Sequence, residues 1–122
     1  LQTIQITPKY RYAMMQKEII ETYCKVAIQE ACKKYKIEII ILDVLKEHVH
    51  LIANCPRTLS QAEMMQIIKG LSAYIIFRFC PNLRKRYPQG HFWSEGYFCE
   101  GCGSDFERAL SYIKNQKQHH SF

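Results

Sequence analysis

KEHVHLIAN, residues 46–54, sets two histidines one position apart inside an apolar run. Successive side chains of a strand leave on opposite faces, so His48, His50, Ile52 and Asn54 share one face and Val49, Leu51 and Ala53 the other. The second set suits a face packed under helices. The first set brings two imidazoles together on Cα atoms roughly 6.5–7 Å apart, within reach of one ion. Two polar side chains on the wet face of a half-buried strand fit the same pattern, and the flanking chain has to separate the two readings.

Working outward, LQTIQI (1–6) alternates as a first strand and stops at Thr7-Pro8. Residues 12–35 suit a helix, with Ile19, Ile20, Tyr23, Val26, Ala27, Glu30 and Ala31 carrying the 3.6-residue period. KIEIIILDVL (36–45) is a β-branched, apolar second strand, joined to the third by a tight turn at Lys46-Glu47. After the CPRT loop, Ser60 with Glu63 forms a capping box that opens a helix over residues 61–79, ended by Pro81. PNLRKRYPQG (81–90) reads as a basic loop and residues 97–100 as a short fourth strand. Ser104 with Glu107 is a second capping box, opening a last helix over residues 105–118.

The order βαββαβ plus a terminal helix is the α+β, ferredoxin-like split βαβ pattern: an antiparallel sheet with two helices on one face. The third strand is central there, which leaves His48 and His50 on the open face and the final helix as the element available to cover it. The expected organisation is one domain over residues 1–122, with a core over 1–104, a tyrosine helix over 105–118 and a tail over 119–122 that holds His119 and His120.

The chain of 122 residues is 48% hydrophobic, ample for one core. No run reaches the roughly 18 apolar residues of a membrane span, and no signal peptide is visible. A start at Leu1 rather than Met points to a missing stretch of natural N-terminus. Of six cysteines, Cys24, Cys32, Cys55 and Cys80 lie in apolar or helical contexts that suit reduced thiols, so a cytoplasmic protein is expected. Cys99 and Cys102 form a lone CxxC, a weak zinc signal without a second pair. The formal charge is +6, and KYRY (9–12) and LRKRY (83–87) interleave basic and aromatic residues, a combination that suits a nucleic acid, particularly a single strand. A solvated basic surface accounts for these clusters equally well.

The last helix carries an apolar stripe of Phe106, Ala109, Leu110 and Ile113. Tyr112 and Gln116 are spaced i, i+4 on its flank, roughly 6 Å apart. With that stripe docked on the sheet, Gln116 can offer a carbonyl oxygen to an ion held by His48 and His50, and Tyr112 hangs over the same ion. A hydroxyl beside a divalent cation is the arrangement that attack on a phosphodiester needs. Taken in isolation, Tyr112 reads more readily as a helix-flank packing residue.

His-hydrophobic-His on a strand followed by a distal Tyr-x-x-x-Gln helix resembles the single-tyrosine HUH transposases of the insertion-sequence (IS) 200/605 type. The likeness runs through nearly the whole chain: PKYRY (8–12), HVHLIANCP (48–56), KGLSA (69–73), FCPNLRK (79–85), FWSEGYF (92–98) and YIKNQ (112–116) each resemble a family stretch, in order. The resemblance implies Tyr112 as nucleophile, His48, His50 and Gln116 as metal ligands, and Mg²⁺ or Mn²⁺ as cofactor. It implies cutting and rejoining of single-stranded DNA at element ends through a 5′-phosphotyrosine without ATP, recognition of subterminal hairpins, and a homodimer in a prokaryotic cell whose tyrosine helix completes the partner's site. Lys9, Arg11, Lys69, Arg84, Lys85 and Arg86 are the expected DNA contacts.

This chain departs from the family in three places. Lys46-Glu47 stands where Pro-Asp is usual, Tyr74 replaces a commonly basic residue, and CEGCGSD (99–105), with Gly101 and Gly103, replaces a Gly-Gly hinge. A non-catalytic single-stranded nucleic-acid-binding module would stack bases across the open sheet face, which His48, His50, Ile52 and Asn54 argue against. A histidine phosphoesterase needs a third histidine where Ile52 stands. A domesticated HUH nuclease acting on genomic repeats remains an alternative.

Overall fold

The computed structural model describes residues 1–9, 18–45 and 48–101. In chain order these form β1 (Gln2–Ile6), α1 (Glu18–Lys34), β2 (Glu38–Val44), β3 (Val49–Asn54), α2 (Gln61–Phe79), α3 (Pro81–Arg84) and β4 (Phe98–Gly101). The sheet order is β2-β3-β1-β4, antiparallel at every pairing, so β3 is an interior strand as expected. The Leu45 amide donates to the His48 carbonyl at 2.9 Å and closes the β2–β3 hairpin. The expected turn at Lys46-Glu47 and the expected helix of residues 105–118 lie outside the described residues.

Alternation along β3 is resolved as its sequence requires. Val49, Leu51 and Ala53 are fully buried in one core with Ile4 and Ile6 of β1, Ala27 and Ile28 of α1, and Ile68 and Ile76 of α2. Both long helices therefore cover one face. Each of the Val, Leu and Ile side chains in this core contributes about 1.5–3 kcal/mol on burial. On the other face Ile52 is also fully buried, in a separate small cluster with Leu1, Ile40 and Ile41.

The run Ile39–Ile41 changes face once. Pairing of β2 with β3 slips between Ile39 and Ile41, and after that bulge Leu42 lies opposite Leu51, Asp43 opposite His50 and Val44 opposite Val49. Leu42 and Val44 thereby stay against the core while Asp43 turns to the histidine face.

α1 buries a face rotated from the expected one. Ile20, Cys24, Ala27, Ile28, Ala31 and Cys32 are buried, whereas Ile19 is 58% exposed. The two cysteines behave as small hydrophobes and complete the stripe. α1 ends in a Schellman motif: Ile37 N–H reaches the Cys32 carbonyl at 2.9 Å and Lys36 N–H the Lys33 carbonyl at 3.3 Å, with Lys36 left-handed at φ 60°. α2 starts at the expected capping box, with Ser60 and Glu63 exchanging two 3.0 Å bonds.

The expected basic loop of residues 81–90 is corrected at its start. Pro81 occupies the first turn of α3, where its missing N–H costs nothing, and Leu83 is buried. Tyr87 closes the segment and is 1% exposed, packed between Phe77 and Phe92 at ring-centroid distances of 5.5 and 5.3 Å. Its ring belongs to the core and is closed to a nucleobase. Among the described residues no helix is long and apolar enough to cross a membrane.

Candidate active site

The rigid part of the site is an interior strand. His48 and His50 flank Val49, whose burial under the helices forces both imidazoles to the opposite face. The rings meet edge to face, 4.6 Å between centroids at 85°. His50 is fully buried and His48 6% exposed. His48 Nε2 and both ring nitrogens of His50 form no hydrogen bond among the described residues.

Strand pairing extends His50 into a row across the sheet: Asp43 on β2, His50 on β3, Gln5 on β1 and Phe98 on β4. The sequence reading missed Asp43 and Gln5 because only the register brings them to His50. Among the described residues no three His, Cys, Asp or Glu side chains form a group able to hold a metal ion. The histidine pair offers two nitrogen donors, a set suited to a divalent cation that takes further ligands from elsewhere. Tyr112 and Gln116 lie outside the described residues, as do Arg11 and Cys102.

A second feature opens on the helix side of the sheet. A cavity of about 1000 Å³ is lined by Lys9, Lys69, Tyr74, Arg78, Arg84 and Trp93, among others. It gathers three of the expected DNA contacts, whereas Lys85 and Arg86 are exposed outside its lining. Tyr74 and Arg78 pair on one helix face, with the guanidinium 5.7 Å from the ring centroid and 3.0 Å from the hydroxyl. Arg84 donates to the Tyr87 carbonyl and lies 5.8 Å from the Phe77 ring centroid. Gly90, at φ 76°, leaves room for that guanidinium, since a Cβ there would stand 3.2 Å from Nη2.

One wall of the cavity is held by side chains of α2. Lys69 Nζ donates to the carbonyls of Ser94 and Gly96, each at 2.8 Å. Burial pushes its ammonium below the usual lysine range, with Glu95 opposing the shift. Ser72 accepts the indole N–H of Trp93 at 2.8 Å, and Ser94 is tied to the Thr7 carbonyl through both its amide and its hydroxyl. KGLS on α2 is thus the clamp for WSEG, which makes two separated stretches of sequence one structural unit. Lys69 has two of its three donors engaged in this clamp.

The family profile described as "Transposase IS200 like" matches residues 3–116. This chain belongs to the IS200-like transposase family. The IS200 transposase of Salmonella typhimurium is 24% identical over 113 residues, spanning 93% of this chain and 74% of that protein. The ISDra2 transposase TnpA of Deinococcus radiodurans is 26% identical over 110 residues, 88% of this chain and 77% of that protein. Among solved structures, a Deinococcus radiodurans protein described as a transposase superposes with a TM-score of 0.71 at 23% identity, covering 95% of this chain and 90% of that one. A REP-associated tyrosine transposase bound to a REP hairpin gives 0.67 at 17% identity, covering 98% and 67%. Both structural likenesses are of fold. Membership in the IS200-like transposases implies a DNA-cleaving enzyme of DNA transposition and recombination.

Proposed function

We propose that this transposase cuts and rejoins single-stranded DNA at element ends through a 5′-phosphotyrosine on Tyr112. The observation that carries the reading is the buried edge-to-face pair of His48 and His50 on an interior strand, in a chain of this family. His48 and His50, with the Gln116 carboxamide oxygen, hold a divalent cation, Mg²⁺ or Mn²⁺. When bound, that ion supplies Lewis-acid polarisation of the scissile phosphate.

The Tyr112 oxygen attacks phosphorus, the bond to the leaving 3′ oxygen breaks, and the phenol proton departs to solvent as the 3′ oxygen gains one. The products are a phosphotyrosine and a free 3′-OH. Attack by a second 3′-OH on that ester reverses the exchange. One phosphodiester replaces another, so no nucleotide hydrolysis is needed. His50 is held in β3, whose register is locked from both sides by β2 and β1, and His48 stands just before the strand, its carbonyl bonded by the Leu45 amide. The expected helix of residues 105–118 supplies the tyrosine, and the working unit of this proposal is a homodimer in which that helix completes the partner's site.

The basic cavity beside Lys9, Lys69 and Arg84 contributes to holding DNA, with Arg11, Lys85 and Arg86 adding phosphate contacts. Hairpin ends are its substrate class, in line with the hairpin bound by the REP-associated relative. The test incubates labelled single-stranded element ends with the protein and Mn²⁺. Wild type forms a denaturation-resistant adduct and Tyr112→Phe forms none while still binding the hairpin. An undiminished adduct in Tyr112→Phe overturns the assignment.

A further inference from the structure

The register that flanks His50 carries a consequence for the ion. The imidazoles of His48 and His50 are neutral donors, so they bring no counter-charge of their own to a divalent cation. Asp43 is the direct cross-strand partner of His50. Directly paired residues sit about 4.5–5.5 Å apart at Cα with side chains on the same face. The other members of that row are Gln5 and Phe98, so Asp43 brings the row's one formal charge. Leu42 and Val44, packed against the core on either side of it, fix its direction. The bulge between Ile39 and Ile41 is what puts the carboxylate there.

We propose that Asp43 is a positioning residue of the metal site. Its carboxylate compensates the ion's charge across the strand pair, through a metal-bound water rather than through the His50 ring, whose nitrogens it does not hydrogen-bond. Direct coordination is a different arrangement, since His48, His50 and Asp43 do not form a three-ligand group. The inference rests on the reading of His48 and His50 as ligands.

The test titrates the full-length protein, freed of metal, with Mn²⁺ and follows free Mn²⁺ by electron paramagnetic resonance. Wild type, Asp43→Asn, Asp43→Glu and His50→Ala are compared, with the melting temperature of each metal-free protein measured in parallel. Asp43→Asn is nearly isosteric and removes only the charge. It is expected to weaken Mn²⁺ binding about 10–100-fold, the range for loss of an outer-shell partner. Its metal-free melting temperature should match wild type, and Asp43→Glu should restore most of the affinity. Wild-type affinity in Asp43→Asn overturns the proposal. Equal losses in Asn and Glu, with lowered melting of both metal-free proteins, mean a structural role and also overturn it. If His50→Ala binds Mn²⁺ as wild type does, the histidine pair is not the site, and the reading beneath the proposal falls with it.

Discussion

Trp93 donates its indole N–H to the Ser72 hydroxyl at 2.8 Å, and both residues are buried. The bond joins the middle of α2 to the segment leading into β4, 21 residues further along the chain. Phe92 packs edge to face on the same indole at 4.8 Å. The hydroxyl is therefore a polar tie set against two aromatic rings, beside the Lys69 bonds to Ser94 and Gly96.

Ser72→Ala leaves the Trp93 N–H buried without its partner. The expected loss is about 1–3 kcal/mol of unfolding free energy, measured by urea denaturation. A change below about 0.5 kcal/mol would show that the tie contributes nothing.

Lys36 holds the left-handed position of the α1 Schellman motif, where a side chain is strained. Lys36→Gly relieves a strain of about 1–2 kcal/mol, partly offset by the greater unfolded-state freedom of glycine. Thermal unfolding should report a gain of roughly 0.5–1 kcal/mol. A loss of stability would mean that the lysine side chain makes a contact worth more than the strain.

Burial pushes the thiols of Cys24 and Cys32 well above the usual thiol range, up to about 12. The shift is upward, so at pH 8 only about one thiol in ten thousand is ionised, and the thiolate is the reactive form. Mass-spectrometric mapping after alkylation at pH 8 should find Cys24 and Cys32 unmodified until denaturant is added. Half-buried Cys55 and Cys80 should react in the native protein. Native labelling of Cys24 would require opening of α1 from the sheet.

The proposed sharing of the tyrosine helix between subunits can be tested by complementation. Tyr112→Phe and His48→Ala proteins, each inactive alone, should recover a fraction of wild-type cleavage when dimers reassort. The mixed dimer contains one composite site, with His48 from one subunit and Tyr112 from the other. Demonstrated subunit exchange without returning cleavage would place each site within a single chain.

The sequence by itself determined the elements whose signals are local. A capping box at Ser60 and Glu63 and a proline at 81 bound α2 at the residues observed, because both act on the backbone within one turn. Period-two alternation in HVHLIA settled which face of β3 meets the helices, since Val49, Leu51 and Ala53 leave no other assignment. Interior placement of that strand followed from the element order. Tertiary packing decided the rest. Four isoleucine or leucine residues in a row, Ile39 to Leu42, have no polar member to mark a face, so only pairing against β3 could place the bulge and bring Asp43 to His50. The rotation of α1 depended on counting Cys24 and Cys32 as apolar, which a thiol becomes only when the surrounding core excludes water from it. Tyr87, preceded in the chain by Arg84, Lys85 and Arg86, is buried because Phe77 and Phe92 close on its ring while its hydroxyl reaches the Lys9 carbonyl at 3.0 Å, 78 residues away. Such long-range partners satisfy a polar tip and an apolar body together, and no local pattern encodes them.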